Sequence, residues 1–379
     1  MRPLYFDYNA TTPIAPSVQE AMLPFLAEHF GNPSSGHALG RAAAEAVEDA
    51  RGQIAQLLGC DPDEIVFTSG GTESNNLALQ GSLLCEAPAV GGHLILSAIE
   101  HPSVAEPARF LERLGYDVTI VGVTGQGVVQ PATIRAAIRP DTRLVSIMHA
   151  NNETGAIQPL RSIATICHEH NIPLHTDASQ SVGKIRTLVD ELEVDLLTIA
   201  GHKLYGPKGV GALYVRRGVE LETMQHGAGQ EAGLRAGTEN VAAIVGLGRA
   251  AALVNKNLDA SAERLAALRD RLWQKLVAEI GNPLTMHGAL APRLPNTLCV
   301  SFPGVNGHEL LARIPELCAS TGAACHSETE TVSPTLAAMG VAADQARGVV
   351  RLSVGWYTSE DEVDRAASLL LGAWEALKG

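Results

Sequence analysis

Short apolar runs alternate with longer stretches of helical spacing through the first two-thirds of the chain. Ile65–Phe67, the run that starts at His93, Asp117–Val121, Leu144–Met148, the run from Pro173 to Asp177 and Ala212–Arg216 read as strands. Between them, Pro16 to Phe30, Arg41–Leu58 with its Gly59 stop, the segment after Thr72, residues 104–115 and 133–139, and the stretch around His168 and His170 read as helices. Strand, polar turn and helix therefore repeat as a unit, the pattern of an α/β protein. A Gly-rich stretch, His226–Asn240, precedes a long helical segment that runs to about Ile280. The pattern then changes. Asn296–Phe302, Leu317–Thr321 and Gly348–Tyr357 read as strands, and Gly307–Ile314 and Glu360–Leu377 as helices, which predicts a small α+β unit. Residues 1–13 read as an extended arm.

At 379 residues the chain exceeds the usual single-domain size. The expected division is an arm 1–12, a large domain 13–258 and a small domain 259–379. A hydrophobic content of 46% with only 4% aromatics predicts a core of aliphatic residues and alanine. The net charge of −13 argues against a nucleic-acid or anionic-membrane surface. No apolar run approaches the roughly 20 residues of a membrane span. The start, MRPLYFDYNATTP, lacks an apolar signal core. The six cysteines show no CxxC and no regular spacing, so neither a disulfide framework nor a zinc knuckle is expected. These features predict a cytoplasmic protein with reduced thiols and no metal site.

Candidate chemistry gathers at the ends of the apolar runs. Asp177 closes one, and Lys203 lies just past the next, in a Gly-His-Lys turn. Pyridoxal 5'-phosphate needs such a pair, a carboxylate against its ring nitrogen and a lysine that holds its aldehyde covalently. Ser69-Gly70-Gly71-Thr72 lies between a strand and a helix, where small residues and a helix N-terminus can cradle a phosphate. Taken singly, each feature has a plain alternative. A strand-end acid and a lysine are common on surfaces, a Gly-Gly turn is usually only a turn, His101 before Pro102 reads as a loop residue, and Asn151-Asn152 as turn formers.

Several long motifs in order are more specific. YFDYNATTP, HTDASQSVGK, AGHKLYGPKGVGALYVR, GQEAGLRAGTEN and RLSVGWYTSEDEVD span essentially the whole chain and resemble the cysteine desulfurases. These are pyridoxal-phosphate enzymes of the class V aminotransferase group and fold type I. The resemblance implies a large domain with a mostly parallel mixed sheet between helices. It implies that Lys203 holds the cofactor, Asp177 pairs with its ring nitrogen and Gln180 bonds its ring oxygen. It also implies that His101 stacks on the ring with a part in proton transfer, and that Gly71, Thr72 and His202 bind the phosphate. Asn152 would lie near the ring hydroxyl and the substrate carboxylate, which Arg351 would grip. Thr238 would reach the phosphate of a second subunit, making the active form a homodimer. Cys325, in ASTGAAC, occupies the position of the nucleophile that takes sulfur from L-cysteine as a persulfide and passes it to an acceptor protein, an iron–sulfur scaffold or a thiolation enzyme.

Two departures qualify the resemblance. Ala200 stands where the family usually carries a hydroxyl that binds phosphate, a loss on the order of 1.5–3 kcal/mol unless another donor compensates. His326 follows Cys325, and GAACHS looks closer to the selenocysteine lyases. His326 reads either as an imidazolium that lowers the thiol pKa or as a solvated loop residue. The alternatives to a desulfurase are a selenocysteine lyase, another fold-type I enzyme such as an aminotransferase, and a non-catalytic scaffold.

Overall fold

Strands buried on both faces need helices on both sides, and the apolar runs build such a layered sheet. A computed structural model describes residues 3–85, 91–321 and 332–378. The chain begins with β1 (Leu4–Tyr5), α1 (Pro16–Ala27), α2 (Ala38–Leu58), β2 (Ile65–Thr68), α3 (Gly71–Leu84), β3 (His93–Ser97), α4 (Pro102–Arg113) and β4 (Asp117–Val121). It continues through α5 (Pro131–Ala137), β5 (Thr142–Ser146), α6 (Leu160–Glu169), β6 (Leu174–Asp177), α7 (Val189–Leu192), β7 (Leu196–Ala200), β8 (Gly211–Val215) and α8 (Val241–Ile280). Seven strands form one sheet in the order β2-β8-β7-β6-β5-β3-β4. Neighbours from β7 to β4 run parallel, and β8 is antiparallel to both β7 and β2. The carboxyl ends of β2, β3, β5, β6 and β7 therefore share one edge, where ligands of open α/β sheets bind.

The period of two along each strand sorts residues to opposite faces. Ile95, Leu197, Ile199, Ala212 and Tyr214 pack into the core that includes residues of α2, α6 and α8. Their alternates Leu94, Leu96, Leu196, Leu213 and Val215 pack with Leu77, Leu79, Val104 and Leu111 of α3 and α4.

The C-terminal part holds β9 (Thr285–Met286), β10 (Thr297–Ser301), α9 (Gly307–Ala312), β11 (Leu317–Cys318), α10 (Pro334–Ala338), α11 (Ala343–Arg347), β12 (Val349–Ser353) and α12 (Glu360–Lys378). Its antiparallel sheet has the order β12-β10-β9, while β1 of the arm pairs in parallel with β11. Helix α8 serves two cores. Its start buries Ile244, Leu247 and Val254 against the large sheet, and Leu265, Leu268, Leu272 and Leu276 line the second core with Phe6, Val363 and Leu370. The expected boundary at 258/259 thus falls inside one unbroken 40-residue helix. Among the described residues no helix is long and apolar enough to cross a membrane.

Some expected elements shift. Pairing along Leu144–Met148 goes on past the end of β5, with the Ile147 and His149 N–H groups donating to the carbonyls of His175 and Asp177. The expected strand Gly348–Tyr357 stops at Ser353. Gly355 opens a turn that Thr358 closes through its hydroxyl and its N–H. The turn also packs Gly355 so closely on Tyr8 that a Cβ there would sit 2.1 Å from the ring. The run Leu317–Thr321 keeps only Leu317–Cys318 as strand, followed by an isolated bridge from Ser320 to Arg351.

The Gly-rich stretch before α8 is tied down by a buried ion pair. Arg51 of α2 donates to both Glu231 oxygens at 2.9 Å, and the Phe67 N–H donates to Glu231 at 2.7 Å. Removing one partner strands the other charge in the interior. Arg51→Met is expected to destabilise the protein by about 3–5 kcal/mol in denaturant titrations. A change below about 1 kcal/mol would show that the pair is replaceable.

Candidate active site

At the shared strand edge, Gly71, Thr72, His101, Asn152, Asp177, Gln180, His202, Lys203 and Arg351 line one cavity of about 510 Å³. Nine of the expected positions, far apart in sequence, are thus brought together. Thr238 is exposed in the Gly-rich stretch, outside this lining. Cys325 lies outside the described residues, as does His326. A larger hollow of about 1060 Å³ lies elsewhere, beside Arg51 and Glu231. Its arginines are committed to Glu231, Asp190, Asp61 and Asp63, and no lysine lines it, so the smaller cavity holds the candidate chemistry.

Asp177 ends β6 and is braced. Its Oδ1 accepts the Ser179 N–H at 2.9 Å, and its Oδ2 accepts from Asn75 Nδ2 at 2.8 Å. The same Asn75 amide donates to Ser103 Oγ at 2.8 Å. Ser103 lies 2.8 Å from His101 Nδ1, which also accepts the Ser103 N–H as the cap of α4. Because Nδ1 accepts, the proton of a neutral His101 sits on Nε2. Burial first, and then Lys203, lower the His101 pKa against the pull of Asp177, which favours that neutral form. Next to it in sequence, Glu100 is half-buried, desolvation pushes its pKa up to about 8, and its Oε1 accepts from the Ser97 hydroxyl and the Met148 N–H. Glu100 thereby ties the turn after β3 to the turn after β5.

Lys203 follows β7 in a single helical turn. Its Nζ donates to the carbonyl oxygens of Asn9 at 2.6 Å and Ala10 at 2.8 Å. Burial, followed by the nearby Arg351 charge, lowers its pKa to about 8, although Asp177 and Asp7 oppose the shift. Such a lysine is a free amine far more often than one in water. The depressed value carries a cost in folding below pH 8, which fades between about 8 and the ordinary 10.5 as the unfolded chain alone keeps its proton. Lys203→Met is therefore expected to stabilise the cofactor-free protein at pH 7 by on the order of 3 kcal/mol. The gain should shrink steadily in melts from pH 8 to 10.5. A pH-independent difference would contradict the shift.

The expected phosphate cradle, Gly71 and Thr72, lies at the start of α3 and lines the cavity. A Cβ at Gly71 would lie 3.1 Å from Ser179 Oγ and 3.2 Å from the Ala200 Cβ, so glycine keeps the turn close against β7. The Ser179 hydroxyl beside Ala200 is a donor that the sequence reading had not counted. Burial, with Lys203 and Lys208, pushes His202 down to about 4, and its Nδ1 lies 3.1 Å from Thr11 Oγ1. The two readings of Asn151-Asn152 divide between the residues. Asn151 is the turn former, accepting the N–H groups of Glu153 and Thr154 at 2.9 Å, while Asn152 lines the cavity.

Arg351, on β12, closes the cavity from the small sheet. It donates to the Asn152 carbonyl at 3.1 Å and to Asp7 Oδ1 at 2.7 Å. Gln180 donates to the Asn9 carbonyl at 2.9 Å and accepts from the buried Lys184 at 2.9 Å. A carbonyl only accepts, so the Asn9 carbonyl fixes the Gln180 nitrogen on its own side and leaves the Gln180 oxygen facing Lys184. Asn75, Ser103, Ser179 and Lys184 were missed as site residues. The only sequence signal for them was polarity at positions where the surrounding run is buried.

A family model described as Aminotransferase class-V matches residues 4–366. The chain is 45% identical over 379 residues to a cysteine desulfurase IscS of Dictyoglomus turgidum, covering 100% of this chain and 96% of that one. A solved NifS-like protein has a TM-score of 0.91 at 38% identity, covering 100% of both chains. SspA, solved in complex with cysteine, has a TM-score of 0.82 at 39% identity, covering 94% of this chain and 99% of that one.

Proposed function

The chain belongs to the class V aminotransferase family and, within it, to the cysteine desulfurases, and from that premise we propose that it converts L-cysteine to L-alanine with pyridoxal 5'-phosphate and carries the sulfur as a persulfide on Cys325. One observation carries the reading above all. A lysine of lowered basicity and a braced carboxylate stand on adjacent parallel strand ends inside one cavity that Arg351 closes.

The residues present fit the cofactor. Asp177 would hold its ring nitrogen, Lys203 its aldehyde carbon, Gln180 its ring oxygen, and Gly71, Thr72 and His202 its phosphate, with Ser179 in reach of the place Ala200 leaves without a hydroxyl. When bound, pyridoxal phosphate supplies an electron sink for the charge left on Cα. Arg351 and Asn152 orient the substrate through its carboxylate, for which a guanidinium is suited. Lys203 would take the Cα proton, and its lowered pKa matches that task near neutral pH. His101, held by Ser103 at Nδ1, keeps a donor at Nε2. The Cys325 thiolate attacks the substrate sulfur. The carbon–sulfur bond breaks, the sulfur stays on Cys325, and the carbon skeleton leaves as alanine after proton uptake.

The same proposal includes a homodimer, in which Thr238 reaches the partner's phosphate site. The exposure of Thr238 and its absence from the lining of its own chain's cavity support this. It also includes a cytoplasmic setting, a sulfur-acceptor protein, and the division at 258/259, which two apolar cores joined by α8 support. Purified protein supplied with pyridoxal phosphate is expected to release alanine from L-cysteine. A protein that binds the cofactor and releases none rules the reading out.

A further inference from the structure

The chain supplies Arg351 with a carboxylate of its own. Asp7 Oδ1 accepts from Arg351 Nη2 at 2.7 Å, and both side chains are largely buried, 7% exposed for Arg351 and 22% for Asp7. The Asp7 backbone is fixed beside β12 by its bridge to Ser353, and the Ser353 N–H donates to the Phe6 carbonyl at 2.7 Å. The Asp7 side chain nonetheless lines the same cavity as Lys203 and Arg351. The guanidinium also donates to the Asn152 carbonyl, while its Nε has no hydrogen-bond partner among the described residues. Arg351 is thus partly neutralised and partly unspent.

We propose that Asp7 is a positioning residue that competes with the substrate carboxylate for Arg351 and so sets how tightly the site holds α-carboxylate ligands. This rests on the reading of Arg351 as the carboxylate clamp. A carboxylate arriving on Arg351 has two routes. It displaces Asp7, breaking a charge-assisted hydrogen bond, or it shares the guanidinium and lies within a few ångströms of a like charge. Both routes weaken binding, so the sign of the effect does not depend on which is taken. Substrate and product both carry the α-carboxylate. Asp7 therefore opposes cysteine and alanine alike, and keeps the product from holding the site.

The test uses two fragments of cysteine on the cofactor-loaded protein, with affinities read by calorimetry. 3-Mercaptopropanoate keeps the carboxylate and lacks the amine, and cysteamine keeps the amine and lacks the carboxylate. Asp7→Asn is nearly isosteric and removes the charge. It is expected to tighten 3-mercaptopropanoate roughly tenfold and to leave cysteamine within about twofold. In turnover, the KM for L-cysteine should fall while kcat changes less. Asp7→Ser, which keeps a small polar group on the arm, should act in the same direction and serves if the first variant misfolds. Weaker or unchanged binding of 3-mercaptopropanoate, equal shifts for both fragments, or no binding to either protein would overturn the proposal. These affinities are read without alanine release, so a failure of the desulfurase reading shows separately.

Discussion

Lys203→Ala is expected to lower alanine formation from L-cysteine by about 10³-fold or more, with the cofactor still bound. The residue does two things that no neighbour replaces. Its amine sits at the end of β7, next in the sheet to the strand that carries Asp177, and two backbone carbonyls hold it there. Its pKa of about 8 gives a fraction of free amine at neutral pH that an exposed lysine lacks. Lys184 lies near but is locked against Gln180 and Asn9, too deeply buried to take over. Lys203→Arg separates charge from reactivity. It keeps the cation but is never a free amine, and it should be as inactive as the alanine variant. Activity within tenfold of wild type in either variant would remove Lys203 from the chemistry.

Cys325→Ala is expected to cut alanine release from L-cysteine at least about a hundredfold, roughly 2.7 kcal/mol of barrier, while cofactor absorbance stays unchanged. The argument comes from the other cysteines. Burial pushes the thiols of Cys60, Cys167 and Cys299 up to about 12, so they are protonated at neutral pH and make poor nucleophiles. None of the five cysteines in the described residues lines the cavity. Cys325 lies in a polar stretch outside those residues, and the resemblance of ASTGAAC is what assigns it the sulfur. Full activity in the variant would mean that sulfur leaves without a protein carrier.

The strand ends were legible because buried strands write themselves as short apolar runs, and β2, β3, β5 and β6 each end at a polar residue. Asp177 closes β6, while the Gly70-Gly71 turn and His101 start the helices that follow β2 and β3. What the sequence hides is pairing across distance. Arg351 and Asp7 stand 344 positions apart, and no local pattern joins them. Lys184 reads as a surface residue because lysine is seldom buried, yet its amine sits between Gln180 and Asn9. Asn75 looks like an ordinary helical polar residue, although it links Asp177 to Ser103. The overlong strand at Gly348–Tyr357 misled because Val354, Trp356 and Tyr357 continue the apolar run through a turn that Gly355 and Thr358 make. A phosphate ligand that belongs to a neighbouring subunit, the role assigned to Thr238, has no signature in one chain beyond its motif.

The most direct test of the central claim is alanine release by the cofactor-loaded protein, wild type and Cys325→Ala, from L-cysteine and L-selenocysteine in parallel. The account predicts alanine from L-cysteine in the wild type and its loss in the variant. Strong release from L-selenocysteine with little from L-cysteine, or no alanine from either substrate with pyridoxal phosphate bound, would contradict it.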